Sequence, residues 1–347
     1  MHMADALISP AVGGTAWITT AGLIGYSSRK LKRTLDDHQI PLMGVMGAFI
    51  FAVQMINFTI PATGSSGHLG GGLILAILLG PWAGFLTLSS VLTVQALFFA
   101  DGGLLALGCN IFNLGFFPCF VAYPLIYRKI TRNSHGKWVI TTGALAAAIA
   151  GLQLGSLAVV LETFLSGISE LSLVTFLLLM QPVHLAIGVI EGIATAAIIL
   201  FVMKARPEVL GSAAPAEAGK TWSAARLLAV FLAAAIVLGA GVSWFASTHP
   251  DGLEWSLIRA GISEPQQPDK GDLHRVLEEV QGKTSILPEY SFPTEDGPAG
   301  ETLPQEPSGW PAADWGTSVS GLIGGTLTLI LAGFAGLFIH RKRIIHR

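Results

Sequence analysis

Charged residues are scarce in this sequence, and their scarcity excludes an ordinary soluble domain. Asp, Glu, Lys and Arg make up 12% of the 347 residues, whereas hydrophobic residues make up 52% and the mean hydropathy is +0.62. Soluble domains carry about 25% charged residues. The sequence therefore predicts an integral membrane protein, and its 41 glycines are typical of helices that pack closely through small residues.

Other common features are also absent. No basic segment precedes the first apolar run, so the chain does not begin like a cleavable signal peptide. The two cysteines, Cys109 and Cys119, lie in or beside an apolar stretch, which favours small buried side chains over a disulfide. No His-Glu-x-x-His, Walker A, Gly-x-Ser-x-Gly or dinucleotide-binding motif is present. We therefore expect neither an enzyme nor a cofactor, and no ATP hydrolysis by this chain.

Nine apolar runs predict an all-α membrane protein with about nine transmembrane helices. Most of the runs are long enough to cross a hydrocarbon core of about 30 Å at about 1.5 Å per residue. They cover residues 10–27, 41–60, 70–80, 84–100, 110–127, 138–161, 173–203, 226–246 and 317–339. The third and fourth runs are short and rich in glycine, so the count of nine depends on them.

The distribution of basic residues predicts the orientation in the membrane. If the N-terminus lies outside, 16 of the 20 Lys and Arg fall in cytoplasmic segments, and the other four lie in a long outer loop, residues 247–316. Basic residues of short loops collect on the cytoplasmic side. We therefore predict an outer N-terminus and a cytoplasmic C-terminus.

The N-terminus itself is a candidate metal chelator. The α-amine of Met1, the amide nitrogen of His2 and the His2 imidazole can bind one ion through fused five- and six-membered rings. His68, in the Gly/Ser-rich loop Thr63–Gly72, lies on the same predicted face and would supply a fourth nitrogen. Such all-nitrogen sites suit Ni(II) or Cu(II) better than Zn(II), which prefers tetrahedral sites. Each histidine alone is also compatible with a plain surface residue, so the pair carries the prediction.

Three further polar residues cluster at the outer ends of the fourth and fifth predicted helices. They are Asp101, Asn110 and Asn113. Their carboxylate and amide groups are candidates for orienting the two metal-binding histidines. They are equally suited to satisfying the backbone groups of exposed helix ends, and both interpretations stay open.

One buried ionisable pair is predicted within the membrane. His184 and Glu191 are seven residues apart and therefore lie on one face of the seventh predicted helix. Ionisable residues inside a membrane are functional candidates by default. Because the sequence offers no third donor beside them, we expect a structural, hydrogen-bonded role rather than a ligand role.

The outer segment 247–316 has a composition typical of solvated, partly extended chain. It contains 13 acidic and four basic residues, and nine of the 18 prolines. We expect an extended conformation for residues 295–313. Two stretches, Pro250–Glu254 and Leu287–Pro293, contain enough apolar residues to pack against the protein. We predict that the segment covers the outer mouth of the metal site.

The motifs around His2, His68 and Asp101 together resemble one known family. Met1–Asp5, Thr63–Gly72 and Asp101–Asn113 are similar to the CbiM/NikM family, the substrate-specific membrane components of nickel and cobalt energy-coupling factor (ECF) transporters. This resemblance covers about residues 1–205 as a seven-helix domain, and residues 206–223 would be a cytoplasmic linker. Residues 224–347 are similar to the small NikN-like accessory component, whose signature is the Pro-Asp-Gly-Leu-Glu stretch at 250–254.

The resemblance implies a function, a set of ligands and partners. In the family, the N-terminal nitrogens and the loop histidine bind the transported ion, which assigns those roles to Met1, His2 and His68. It also implies a transmembrane coupling (T) component and cytoplasmic ATPase subunits as partners, in the cell membrane of a prokaryote. The metal is then the transported substrate rather than a cofactor.

The choice of metal stays open in the sequence. Many members of the family read His-Ile-Pro-Asp-Gly or His-Ile-Met-Glu-Gly after the initiator Met, whereas this chain reads His-Met-Ala-Asp-Ala at residues 2–6. Uptake of Ni(II) is the leading hypothesis, and a cobalt-specific importer component is its nearest alternative. A membrane-bound metal sensor or scaffold without transport is the alternative from another class.

Overall fold

Helices make up most of the chain, as predicted. The computed structural model describes residues 2–36, 38–168, 172–210, 221–261, 271–293, 311 and 313–344. Its helices are α1 (Pro10–Thr34), α2 (Gln39–Gln54), α3 (Gly72–Leu79), α4 (Pro81–Phe99), α5 (Leu107–Thr131), α6 (Lys137–Ser166), α7 (Leu173–Ala205), α8 (Ala224–Ala240), α9 (Gly252–Arg259), α10 (Asp272–Thr284) and α11 (Trp315–Ile344). Short 3-10 turns occupy Asp5–Leu7, Pro207–Leu210, Val242–Phe245 and Pro288–Tyr290. A small antiparallel hairpin, β1 (Phe58–Ile60) and β2 (Ser65–Gly67), follows α2.

Local sequence signals fix several helix ends. The Ser9 hydroxyl accepts a hydrogen bond from the Val12 amide at the start of α1, where Pro10 needs no N–H donor. Gly80 separates α3 from α4 with a φ of 81°, a conformation that favours glycine, and Pro81 begins α4. The predicted apolar runs 70–80 and 84–100 therefore form two separate helices.

Helix α5 departs from regular α-helical geometry. Its central part, Phe112–Tyr127, is π-helical and contains Pro118 and Pro124. Each proline lacks an amide hydrogen and disrupts the regular pattern of helical hydrogen bonds. The polar residues Asn110 and Asn113 lie at the start of this wider section, facing the N-terminal segment through contacts described below.

The second helix is shorter than the sequence predicts. The apolar run 41–60 was expected to form one span, but α2 ends at Gln54. Residues Phe58–Ile60 instead pair with Ser65–Gly67, because β pairing satisfies their backbone groups and turns the chain back toward the interior. The expectation of one continuous helix was wrong at this end.

The core and the outer surface of the helical assembly are both apolar. Helix α3 is buried along its whole length, α2 packs against α8 and α11, and α6 packs along α7. Large apolar side chains such as Leu165, Leu178 and Phe334 are exposed on α6, α7 and α11, as expected for surfaces in contact with lipid. In the part of the chain that the structure describes, α4, α5, α6, α7 and α11 are long and apolar enough to cross a membrane. The count of nine spans and the outer N-terminus stay predictions.

The accessory segment contains secondary structure that the sequence did not reveal. Within 247–316, helices α9 and α10 occupy residues that were expected to be a partly extended loop. The carboxylate of Asp251 caps α9 by accepting hydrogen bonds from the amides of Leu253 and Glu254, both at 2.8 Å. Most of the stretch expected to be extended, 294–310 and 312, lies outside the described residues, as do 211–220 of the predicted linker.

Candidate metal centre

A cavity of about 1070 Å³ lies between the N-terminal residues, the hairpin loop and the accessory segment. His2, His68 and Asp101 line one part of it, and residues from 247–316 line another. The accessory residues on its wall include His249, Asp251, Glu254, His274, Glu278, Gln281, Glu289 and Tyr290. The two histidines predicted to bind metal therefore share one cavity.

The segment that follows His2 is fixed by backbone hydrogen bonds. The Met3 amide donates to Asn110 Oδ1 at 2.8 Å, and the Met3 carbonyl accepts from the Gly103 amide at 2.9 Å and from Asn110 Nδ2 at 3.2 Å. Asp5 Oδ1 accepts from the Ala106 amide at 2.9 Å. A Cβ atom at Gly103 would lie 1.8 Å from Asp5 Oδ1, so this close approach requires glycine. Met1 itself lies outside the described residues.

The His2 imidazole is nearly buried and stacks on His68. The two ring centroids are 5.0 Å apart, with an angle of 28° between the ring planes. His2 Nδ1 lies 2.7 Å from Asp101 Oδ1, and the His2 side chain is 8% exposed. His2 Nε2 is buried and has no hydrogen-bond partner among the described residues. A buried polar atom without a partner is unfavourable, so this nitrogen indicates a place where a ligand can bind or a ring can turn.

The contact with Asp101 has a consequence for chelation. A six-membered ring that includes the His2 amide nitrogen must close through Nδ1, and Asp101 occupies that nitrogen here. An ion chelated by the N-terminus must therefore displace Asp101 from Nδ1, or the imidazole must turn about its Cβ–Cγ bond. Within the described residues, no three His, Cys, Asp or Glu side chains come together as a metal site.

His68 presents one ring nitrogen to its surroundings. Its Nδ1 lies 3.1 Å from the Leu69 carbonyl oxygen. Because a carbonyl can only accept a hydrogen bond, Nδ1 carries the proton and Nε2 keeps the lone pair that can bind a metal. Burial, followed by the neighbouring His2, lowers the pKa of His68 to about 3. A metal ligand must be neutral imidazole, and His68 meets this requirement at any physiological pH.

The loop after His68 is held by residues of two helices. Glu191 of α7 accepts from the Gly70 amide at 2.8 Å and from the Gly71 amide at 3.2 Å, and Gln54 of α2 donates to the Gly70 carbonyl at 2.8 Å. The hydrogen-bonded role predicted for Glu191 is thereby observed. His184, its predicted neighbour, uses Nδ1 to donate to the Met180 carbonyl at 2.8 Å. Gln54 was not singled out in the sequence, where it is one polar residue within the apolar run 41–60.

Asp101 connects His2 to the accessory segment. Its second carboxylate oxygen, Oδ2, accepts a hydrogen bond of 2.5 Å from the Tyr290 hydroxyl, and the Tyr290 ring stacks on Phe99 with centroids 5.0 Å apart. Burial raises the pKa of Asp101, but the adjoining His2 and Tyr290 outweigh it and hold that pKa below its usual range. Burial and the Asp101 charge raise the pKa of Tyr290 well above its ordinary value. Tyr290 is thus a proton donor and Asp101 an anion at neutral pH.

The backbone on both sides of this contact is in an unusual conformation. Ala100, Glu289 and Tyr290 have φ values of 55°, 51° and 60°. Non-glycine residues rarely adopt positive φ, and such residues concentrate at functional sites. The strained residues adjoin the Asp101–Tyr290 hydrogen bond from both partners. This concentration marks the contact as a feature of the site rather than a chance encounter of loops.

The two asparagines contact the N-terminal segment and not the imidazoles. Asn110 holds the Met3 backbone. Asn113 Nδ2 lies 2.7 Å from Glu162 Oε2 and 3.9 Å from the Met3 sulfur. Of the three residues considered for orienting the histidines, Asp101 touches His2 directly and Asn110 acts one residue away. Glu162 was not singled out in the sequence, where it is one carboxylate near the end of a long apolar helix.

The accessory segment forms hydrogen bonds with each part of the chain that borders the cavity. The Ser66 amide donates to the Pro250 carbonyl at 2.8 Å, Gln281 Nε2 donates to the Gly102 carbonyl at 2.8 Å, and His274 Nε2 donates to the Ile8 carbonyl at 3.0 Å. Both stretches predicted to pack against the protein, Pro250–Glu254 and Leu287–Pro293, do so.

Known proteins resemble this chain over nearly its whole length. The family model described as "Cobalt uptake substrate-specific transmembrane region" (CbiM) matches residues 2–209, and the PDGLE domain model matches residues 225–341. The "Putative fused nickel transport protein NikMN" of Archaeoglobus fulgidus is 32% identical over 340 residues, covering 96% of this chain and 97% of that protein. The "Fused nickel transport protein NikMN" of Rhodobacter capsulatus is 31% identical over 263 residues, covering 70% of this chain and 74% of that protein.

A solved structure shares the fold of the first part of the chain. The crystal structure of a transition metal transporter has a TM-score of 0.52 and 28% sequence identity, and the match covers 59% of this chain and 93% of that one. A truncated form of a transition metal transporter matches with the same TM-score and identity. Over the matched 59% of the chain, the fold is therefore shared with a transition metal transporter.

Proposed function

Because this chain belongs to the CbiM family of cobalt-uptake substrate-specific membrane proteins, with a PDGLE domain after it, we propose that it is the ion-binding subunit of an ECF importer for Ni(II). Co(II) is the nearest alternative substrate. Residues 1–205 bind the ion, 206–223 link the two parts on the cytoplasmic side, and 224–347 are the accessory domain. The chain crosses the membrane nine times with its N-terminus outside. A T component and cytoplasmic ATPases supply the energy.

The pairing of His2 with His68 carries this proposal. Their rings stack at 5.0 Å on the wall of one cavity, with His2 Nε2 unpartnered among the described residues. The proposed donor set is the Met1 amine, the His2 amide and imidazole nitrogens, and His68 Nε2. Two of these donors belong to the main chain, which explains why a site for a dication needs only two side chains. The Met1 amine is included on the basis of the sequence alone, because Met1 lies outside the described residues.

Asp101 takes part in loading the ion. It accepts a hydrogen bond from His2 Nδ1 in the structure, so chelation through Nδ1 requires that proton to move to His2 Nε2, after which a metal–nitrogen bond replaces the hydrogen bond. The carboxylate then lies beside a dication and is still held by Tyr290 through its other oxygen. A negative charge held next to the ion compensates part of the cost of removing the dication from water. Asp101 thus acts as a charged neighbour of the site and not as a direct ligand.

The accessory segment closes the outer side of the site. Its contacts with Ser66, Gly102 and Ile8 join the hairpin, the loop after α4 and the N-terminal segment. Each of these adjoins a proposed ligand or Asp101. Because these three chain segments are already ordered before the ion arrives, binding has to overcome a smaller loss of conformational entropy. We therefore assign to the segment a role in preparing the site for metal.

Binding of Ni(II) to the purified full chain tests the donor set. His2→Ala removes the imidazole of the N-terminal chelate, and His68→Ala removes the fourth nitrogen. Each change should weaken Ni(II) binding by about 100-fold or more, equivalent to about 2.7 kcal/mol. His135→Ala, in an exposed cytoplasmic turn, is the matched control and should bind like the unmodified chain. Full affinity in His2→Ala would refute the N-terminal chelate.

Accumulation of metal in cells separates transport from sensing. Cells that express this chain with its T component and ATPases should accumulate Ni(II) beyond surface binding, and an ATPase variant that cannot hydrolyse ATP should abolish accumulation. A sensor or scaffold would bind metal equally in both strains. Competition with Co(II), Cu(II) and Zn(II) in the binding assay decides which ion the site selects.

A further inference from the structure

We propose that Glu191 is a positioning residue for the metal ligand His68. It acts through the backbone amides of Gly70 and Gly71, which lie two and three residues after His68. This inference rests on the proposed function. Glu191 is 1% exposed and projects from α7 into the loop between β2 and α3. Its two carboxylate oxygens each accept one backbone hydrogen bond, from Gly70 at 2.8 Å and from Gly71 at 3.2 Å.

Holding a loop with a buried carboxylate carries a large desolvation free energy. Removing a carboxylate from water costs several kcal/mol unless hydrogen bonds or a counter-charge compensate. Among the described residues, no Lys or Arg forms an ion pair with Glu191. The compensation comes from two consecutive amides of a segment in which Gly71 has a φ of 75°. A glutamine at this position would have one acceptor oxygen for the two amides, and its NH₂ group would face one of these donors. The loop geometry therefore depends on this residue type.

The geometry that Glu191 sets passes directly to His68. Gln54 donates to the Gly70 carbonyl, so the peptide units before and after Gly70 are each held by a side chain. The Leu69 carbonyl belongs to the peptide unit of the Gly70 amide, which is the one bound to Glu191. That same carbonyl receives the His68 Nδ1 proton at 3.1 Å. Glu191 thus fixes the peptide that in turn fixes the tautomer and rotation of the imidazole.

This sequence of contacts explains how Nε2 of His68 is kept available. If the Glu191 carboxylate is lost, the peptide between Leu69 and Gly70 is free to rotate, and the carbonyl leaves Nδ1. The imidazole then adopts either tautomer, and its stack on His2 at 5.0 Å is no longer enforced. Supporting partners of metal-binding histidines typically contribute about 10- to 100-fold to affinity. Glu191 touches no ligand and no ion, and acts only through the loop.

Three substitutions test this role. Glu191→Gln keeps the size of the side chain but turns one acceptor into an NH₂ that faces an amide. Gly70→Ala acts from the loop side, because its Cβ would lie 3.2 Å from Glu191 Oε2 and would push the carboxylate away. Thr195→Val is the control on α7, since the Thr195 hydroxyl is buried and has no hydrogen-bond partner among the described residues.

The measurement is Ni(II) binding to the purified full chain by competition with a chelator, together with thermal unfolding without metal. Glu191→Gln and Gly70→Ala should each weaken Ni(II) binding about tenfold or more, while Thr195→Val binds normally. The midpoints of metal-free unfolding should agree among folded variants within a few degrees, as expected for changes of about 1 kcal/mol or less. Unchanged affinity in Glu191→Gln overturns the proposal, and Gly70→Ala decides the matter if Glu191→Gln does not fold.

A double-mutant cycle separates positioning from a general structural effect. In a His68→Ala background, the N-terminal nitrogens still bind Ni(II) weakly, and Glu191→Gln should cause no further loss, because the ligand on which it acts is gone. A further loss as large as that in the unmodified chain overturns the proposal. If the unmodified chain itself fails to bind Ni(II), the proposed function fails. If it binds and Glu191→Gln binds equally, only the role of Glu191 fails.

Discussion

His68 should remain unprotonated through the whole physiological pH range. An ordinary imidazole has a pKa of about 6.5, so about 90% of it is protonated at pH 5.5, and protons then weaken metal binding about tenfold. Burial lowers the pKa of His68 to about 3, so less than about 1% is protonated at pH 5.5. Acidification from pH 7.5 to 5.5 should therefore leave the contribution of His68 to the Ni(II) affinity unchanged. The proton dependence of Ni(II) binding in that range should come from the other donors.

The sign for folding stability follows from the same pKa. Because the pKa of His68 is lower in the folded chain than in the unfolded chain, only the unfolded chain takes up this proton between about pH 6.5 and about pH 3. His68 should thus reduce the free energy of unfolding as the pH falls through that window, and should leave it unchanged above pH 7. The contribution is a destabilisation by acid and not by base.

Nuclear magnetic resonance of the metal-free chain with ¹⁵N-labelled histidine measures this pKa directly. The His68→Ala variant identifies the resonance, and the same chain in denaturant supplies the ordinary imidazole titration. The His68 signal should show the Nδ1-protonated tautomer and should not titrate between pH 5 and pH 8. A midpoint near 6.5 in the folded chain would contradict the burial of His68.

Three further outcomes are expected. Tyr290→Phe removes a hydrogen bond to a charged acceptor, worth about 1.5–3 kcal/mol, so denaturant unfolding should show a loss of this size, and no loss would argue against the contact with Asp101. Asp251→Ala removes the cap of α9 and should cost about 1 kcal/mol; hydrogen exchange of α9 should accelerate, whereas Asp251→Asn, which keeps an acceptor, should change it little. Ni(II) at about 100 times its Kd should stabilise the fold by about 2.7 kcal/mol, and His2→Ala should show no such rise in Tm at the same Ni(II) concentration.

The helices could largely be predicted from the sequence because apolar runs are broken by residues with specific backbone chemistry. Pro10 and Pro81 each begin a helix, close to the starts of the predicted runs 10–27 and 84–100. The end of α2 was missed because apolar composition continues through Phe58–Ile60 and does not distinguish a helix from a strand in a run of three residues. Phe58–Ile60 forms a strand because it pairs with Ser65–Gly67. This contact lies across a turn and has no local apolar signal.

The two histidines of the candidate site could be predicted, but their supports could not. His2 and His68 are recognisable by chemistry and by a shared predicted membrane face, and the structure brings their rings together. Tyr290 meets Asp101 across 189 residues of sequence, and Glu191 meets Gly70 across 121. No periodicity relates such positions. A buried carboxylate in an apolar helix shows only that it needs hydrogen-bond partners, and the fold alone determines which partners it finds.

The accessory segment is placed to set the geometry of the site as well as to cover it. A simple cover would need contacts only at the rim of the cavity. Instead, Pro250 accepts from the amide of Ser66, two residues before His68, and Tyr290 binds the carboxylate that holds His2. Ala100, Glu289 and Tyr290 lie at this second contact and have positive φ values. The contact is therefore held in place at the cost of backbone strain. Because both proposed histidine ligands are reached from one segment, loosening that segment would disturb their relative positions. Fusion of the two parts in one chain keeps that segment at a high effective concentration beside the ligands, which fits a role in assembling the site.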